Sequence, residues 1–206
     1  MNRLTALLLA ACAGGCISYG GSDGDGCEGQ TCSGHGTCRL EDGAARCDCE
    51  PGWELDPDDP LACLEREDVI VDIVTGIDPP SGDTIAVRLR DHRDVKLDRD
   101  DIQIIFLETS LTYGTPVYLE IDPDSRLIKL VLVPYDSPVA ALREQAEWVE
   151  VELIYSAAIH VLRRDQPGFD VMLAELEASL ADGTHRLVTE TRDSHEIIDV
   201  RPPLNP

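Results

Sequence analysis

Cys27-Glu-Gly-Gln-Thr-Cys32 opens a run of six cysteines that continues through Cys38, Cys47 and Cys49 to Cys63. The intervals are x4, x5, x8, x and x13. Between these cysteines the chain is rich in Gly, Asp, Glu and Pro, with Leu40, Trp53, Leu55 and Leu61 as its few large apolar groups. A stretch this short does not bury enough apolar surface to fold alone; the usual lower limit is about 40 residues. Disulfides must stand in for the missing core, each worth about 2–4 kcal/mol, largely by restricting the unfolded chain. Six cysteines admit many connectivities, and spacing alone does not choose among them. The competing reading is a zinc site built on Cys47-Asp-Cys49, but a secretory N-terminus favours oxidised cysteines.

Two segments carry a family resemblance. Cys47-Asp-Cys49-Glu-Pro-Gly52-Trp53 matches a Cys-x-Cys-x-x-Gly-aromatic signature, and His35-Gly36-Thr37-Cys38 matches a Gly-x-Cys approach to a third cysteine. The segment 27–63 therefore resembles the epidermal growth factor (EGF)-like module. The resemblance implies the pairing Cys27–Cys38, Cys32–Cys47 and Cys49–Cys63, with Gly52 at a turn of positive φ and Trp53 covering the minimal core. It also implies surface recognition rather than chemistry. Some modules of this family bind calcium through an Asp-x-Asp-Glu lead-in. Here Asp23 and Asp25 are present, the Glu is missing, and Leu40 stands where an Asn or Asp is needed. Calcium takes six to eight oxygens, so Asp23 and Asp25 are weak candidates and no cofactor is expected.

The N-terminus reads as an address. Arg3 precedes the apolar run Leu4–Ala10, the pattern of a signal peptide. Leu9-Ala10-Ala11-Cys12 resembles the bacterial lipobox, whose cysteine is lipidated and becomes the mature N-terminus. Cys16 is the second candidate. Leu9 favours Cys12, whereas cysteine parity and a longer apolar run favour Cys16. The expected protein is lipid-anchored at a bacterial outer membrane, facing periplasm or exterior; the alternative is secretion. Residues 1–16 are the signal and lipobox region, and 17–26 form a flexible tether.

The chain carries 40 acidic and 17 basic side chains, a formal charge of −23. Such a field repels nucleic acid and suits a basic partner or simple solubility. Residues 67–201 contain no cysteine and are enough for one buried core. Their pattern predicts an α+β domain, mainly antiparallel sheet with one clear helix at about 167–181, followed by a Pro-rich tail at 202–206. Strands are expected at 69–74, 84–90, 102–107 and 149–155, the last running on toward His160, and at 186–190 and 196–200. Residues 117–121 and 127–133 read as a hairpin. In the helix, Phe169, Met172, Leu173, Leu176 and Leu180 share a face, and Gly183 ends it. A second helix is considered at 139–147. No internal repeat is evident.

Chemistry is sparse in this pattern. The five histidines have no helical zinc spacing. His160 reads as a satisfied core residue, and His195, beside Asp193, Glu196 and Asp199, as part of a solvated face. Ser156, Ser179 and Ser194 lack a Gly-x-Ser-x-Gly elbow. No catalytic residue is assigned. The expected function is a membrane-anchored binding protein whose partner is a protein or a surface glycan. The alternatives are a glycan hydrolase using paired carboxylates and a subunit of a surface assembly.

Overall fold

The computed structural model describes residues 26–50 and 52–204. The lipidation candidates Cys12 and Cys16 and the calcium candidates Asp23 and Asp25 lie outside these residues. Among the described residues no helix is long and apolar enough to cross a membrane.

The cysteine-rich segment forms two hairpins. β1 (Gly36–Glu41) pairs antiparallel with β2 (Ala44–Cys49), and β3 (Trp53–Leu55) with β4 (Cys63–Glu65). Three disulfides join them: Cys27–Cys38, Cys32–Cys47 and Cys49–Cys63. Cys32, Cys47 and Cys63 form the buried centre, with Trp53, Leu55 and Leu61 packed around it. The His35 ring stacks on Trp53 at 3.5 Å between centroids. A side chain at Gly36 would meet the Asp48 carbonyl oxygen at 2.5 Å, so only glycine fits there.

The cysteine-free region is mostly antiparallel sheet with two helices, and it folds as two copies of one unit. The first copy comprises β5 (Val69–Ile77), β6 (Thr84–Leu89), β7 (Val95–Asp98), α1 (Ile104–Tyr113), β8 (Pro116–Ile121) and β9 (Ile128–Leu132). Its strands lie in the order β7-β6-β5-β8-β9, each pair antiparallel. The two edges then meet through a parallel bridge between Lys96 and Leu127, which curls the sheet into a small barrel. The second copy comprises β10 (Tyr135–Ser137), β11 (Val139–Glu144), β12 (Trp148–Leu153), β13 (Ile159–Arg163), α2 (Phe169–Asp182), β14 (Arg186–Glu190) and β15 (Ile197–Arg201). Here Pro138, which has no N–H to give a ladder, splits the first strand into β10 and β11. The neighbours are otherwise the same, and Val161 bridges Glu196 as Lys96 bridges Leu127.

The correspondence extends to single hydrogen bonds. Bulges fall at Val74/Gly76 and Val139/Ala141, and again at Glu120/Ile121 and Thr189/Glu190. Gly114 and Gly183 end the two helices in the left-handed conformation. The buried Ser110 hydroxyl donates to the Thr115 carbonyl and accepts the Val74 N–H. Ser179 does the same with Thr184 and Val139. The sequence counterpart is Ser-x3-Gly-Thr-x8-Asp-Ser, at Ser110–Ser125 and Ser179–Ser194. Identity also covers the helix before it, since Leu107-Glu108-x-Ser110-Leu111 recurs as Leu176-Glu177-x-Ser179-Leu180; elsewhere the copies share mainly hydrophobic pattern.

Besides the repeat and its two cores in place of one, three expectations of secondary structure change. The apolar run at 102–107 is not a strand: it leads into α1, with Leu107 buried and Ile102 and Ile105 exposed. Asp101 starts the turn by accepting the Gln103 N–H at 2.8 Å, and Gly114 stops the helix. Residues 139–144 form strand β11 rather than a helix, because pairing with β12 outweighs local propensity. The strand from Trp148 ends at Leu153, so His160 belongs to the following strand, β13.

The barrels pack through Val69, Val71, Tyr118 and Leu132 of the first against Leu187 and Ile198 of the second. Arg192 reaches across to the Gln103 side chain and the Val131 carbonyl, both at 2.8 Å. The disulfide module meets the second barrel at the start of α2. Asp48, 4% exposed, accepts the N–H groups of Gly168 at 2.9 Å and Asp170 at 3.3 Å. These are unpaired donors at a helix N-terminus, so a carboxylate from the module acts as the cap.

Asp48→Ala is expected to cost about 1–2 kcal/mol, the usual worth of such a cap. Urea unfolding would measure the loss, and limited proteolysis at residues 164–168 should quicken with it. A variant as stable and as resistant as the parent would show that the contact contributes nothing. Asp72 links the stability of the first barrel to pH. Burial opposes its ionisation, but hydrogen bonds from His92 and from the Asp91, Ile73 and His92 N–H groups outweigh burial and hold its carboxyl below the ordinary value. A depressed folded pKa gives stability that is present above the unfolded value of about 3.9 and is lost as pH falls through the folded one. Asp72→Asn should therefore cost about 1.5–3 kcal/mol at neutral pH. The gap from the parent should narrow below about pH 4. Parallel unfolding curves at pH 7 and pH 3 would test this, and a constant gap would refute it.

Candidate functional site

Strand register makes each barrel a control for the other. Ile70 opposes Leu119 in the first barrel as Tyr135 opposes Val188 in the second. Val95 opposes Val87 as His160 opposes Val151. Ile121 opposes Ile128 as Glu190 opposes Ile197. Ile70, Val95 and Ile121 are buried together in the apolar core of the first barrel. The second barrel places a tyrosine, a histidine and a glutamate at the same three positions.

These side chains form one connected cluster. His160 is 0% exposed, and its Nδ1 lies 2.5 Å from Glu190 Oε2. Its Nε2 lies 2.9 Å from Ser156 Oγ, on the loop that enters β13. The Tyr135 hydroxyl donates to Glu190 Oε1 at 3.2 Å. Burial, reinforced by the Glu190 charge, pushes that hydroxyl above its ordinary pKa, so it remains a donor. His195 completes the group, with Nδ1 3.1 Å from each Glu190 oxygen. It sits in the β14–β15 turn at φ 52, the position that Arg126 occupies at φ 61 in the first barrel. Arg126 spends its guanidinium on the Arg93 carbonyl, whereas His195 turns its ring toward His160, the two centroids 5.9 Å apart.

The reading of His160 as a satisfied core residue agrees with its burial and two partners. His195 is exposed, as expected of a solvated face, and its ring also joins this cluster, whereas Asp199 is buried and paired with Arg201. Spacing could not reveal the group, because its five members come from five separate segments and only the fold brings them together. Ser156, His160 and Glu190 stand in the order of a nucleophile, a base and an orienting carboxylate. Ser156 Oγ, however, already accepts the Ala158 N–H at 3.2 Å. The nearest cavity, about 220 Å³, opens on Tyr135 and Glu190 and is not lined by Ser156.

A second concave feature lies where the module meets the second barrel. This cleft is about 720 Å³ and is lined by Trp53, Arg39, Arg46, Arg66 and Arg164, among others. Its arginines are ion-paired: Arg46 with Glu41, Arg66 with Asp68, Arg164 with Glu144, and Arg39 more loosely with Asp170 at 3.9 Å. Of its carboxylates, Asp48 caps α2, Glu41 holds Arg46 and Asp165 holds Arg163.

Comparison with models of known families, with characterised proteins and with solved structures returned no match.

The first barrel shows that this fold needs only apolar side chains at the three cluster positions. Replacing all three at once, as Tyr135→Ile, His160→Val and Glu190→Ile, is expected to leave the second barrel folded. Its stability should equal or exceed the parent's by about 1–4 kcal/mol, the usual result when a buried polar network is replaced by packed apolar groups. Glu190→Ile alone should cost about 1–3 kcal/mol, because it strands the buried imidazole. Chemical denaturation of the two variants decides the matter. A triple variant less stable than the single one would show that the cluster is structural.

Proposed function

We propose that this protein is a membrane-anchored surface lipoprotein that recognises another macromolecule through the cleft between its EGF-like module and its second barrel. The observation that carries the reading is the composition of that cleft. A chain of formal charge −23 gathers Trp53 and four arginines, balanced by Glu41, Asp48, Glu54 and Asp165, around one concavity. Tryptophan and arginine are the side chains that most often supply binding energy at protein interfaces. The Asp48 cap supports the same reading, because it holds the two walls in a fixed relation and lowers the cost of ordering them on binding. Three disulfides fit an oxidising compartment outside the cytoplasm. The lipobox-like Leu9-Ala-Ala-Cys12, with Cys16 as the other acceptor, would supply the anchor, and 17–26 the tether. The partner that suits the cleft is a protein segment bearing carboxylates, which could exchange with those now paired to the arginines.

Proximity cross-linking on intact cells, with the captured proteins and the N-terminal peptide identified by mass spectrometry, tests this directly. One dominant partner is expected, together with acylation at Cys12 or Cys16. Arg39→Glu combined with Arg46→Glu should lower its capture at least about tenfold, the equivalent of 1.4 kcal/mol, with the disulfides intact. Undiminished capture by that variant would remove the cleft from the reading, and an unacylated N-terminus would remove the anchor.

A further inference from the structure

The cluster in the second barrel is unexplained by the fold and unused by the cleft. We propose that His160, Glu190 and His195 form a binding site for a divalent transition-metal ion of the zinc class. One ligand atom from each of the three residues can be chosen so that all lie within 4.8 Å of one another. Two imidazoles and one carboxylate are the donors that zinc and its first-row neighbours prefer. Calcium needs six to eight oxygens, and a single carboxylate among imidazoles does not provide them.

The supporting groups match what a metal site requires. A ligating histidine is held in place through its other ring nitrogen, and Ser156 Oγ does this for His160 Nε2. That contact leaves Nδ1 facing Glu190 at 2.5 Å, and the pair must part to roughly 3.3 Å for an ion with bonds of about 2.0–2.1 Å to replace the shared hydrogen. A ligating carboxylate is itself hydrogen-bonded, and the Tyr135 hydroxyl provides the bond. His160 stands on β13, Glu190 on β14, and His195 on the turn that joins β14 to β15, whose carbonyl is bonded to the Val161 N–H of β13, so the donors sit on a rigid frame. His195, with its side chain 52% exposed, gives an ion a way in. Three protein ligands leave a fourth position for water.

The first barrel supplies the independent argument. The same backbone, with the same bulges and the same helix anchor, closes around Ile70, Val95 and Ile121. A buried imidazole–carboxylate pair rarely stabilises more than the apolar residues that could replace it. Its presence in one copy therefore calls for a ligand rather than a packing explanation.

The test uses the full disulfide-bonded chain stripped of metal, titrated with zinc by calorimetry and with cobalt(II) by absorption. Binding of one equivalent is expected, with the intense visible bands of a four-coordinate cobalt site. His195→Ala changes a half-exposed side chain and should leave the fold intact while lowering affinity at least about 100-fold. Tyr135→Phe, which removes only the bond to Glu190, should lower it about 10-fold, the usual effect of an outer-shell partner. His185→Ala should change nothing. Absence of zinc binding, or equal binding by the parent and His195→Ala, would overturn the proposal. So would labelling of Ser156 by a fluorophosphonate in metal-free protein, if it were abolished in Ser156→Ala. That result would assign the cluster to a Ser–His–Glu relay instead.

Discussion

Closure of each barrel rests on one carbonyl. Arg126 and His195 both take the left-handed conformation, and each presents its backbone oxygen to the third strand of its barrel at 2.9 Å, to the N–H groups of Lys96 and Val161. A residue other than glycine in that conformation costs about 1 kcal/mol or more. Both copies bear this cost because the bond joins the two edges of the sheet, and an unjoined edge would leave a row of open donors and acceptors. The carbonyl of one ring-bearing residue thus bonds to the immediate neighbour of the other, since Val161 follows His160. Closing the second barrel is the same event as bringing His195 to His160.

The duplication separates what the architecture needs from what it carries. Both copies keep the serine that ties the helix to the first strand, the glycine that ends the helix, and the left-handed turn residue. They differ inside, at the end of the barrel next to that turn, where one is apolar and the other polar. They differ also in the first strand. Asp72 in the first barrel and Ser137 in the second are both fully buried, and both accept backbone N–H groups from the loop after the following strand. One shape is thus maintained by a carboxylate in one copy and by a hydroxyl in the other.

Much of this was legible in the sequence where period and punctuation agree. The hairpin of 117–121 with 127–133 is legible around Asp-Pro-Asp-Ser, and it is present as β8 and β9, the latter ending at Leu132. The helix ending at Gly183 shows its stop and most of its face: Phe169, Met172 and Leu176 are buried, whereas Leu180 is exposed. Its start was less legible: Pro167 lies just outside, and the cap comes from Asp48, 120 residues earlier. The run Ile102–Leu107 could not be resolved by period, since a short apolar run suits a buried strand or a half-buried helix equally well. The deciding groups, Asp101 and Gly114, lie at its margins. The His160 cluster could not be read because its members are separated by a helix and two strands. What marks it is a comparison between copies, which requires Leu107–Ser125 to be set against Leu176–Ser194 first.

Asp48 lies between two cysteines that belong to different cross-links, Cys47 to Cys32 and Cys49 to Cys63. Its carboxylate is held at α2 by both bonds at once. The second barrel contains no sulfur of its own beyond Met172, yet the first turn of its helix is satisfied by a residue whose position depends on oxidation. Reducing conditions would therefore reach a part of the molecule that has nothing to reduce. The order of maturation follows: thiol oxidation must precede the final fit of a helix more than a hundred residues downstream.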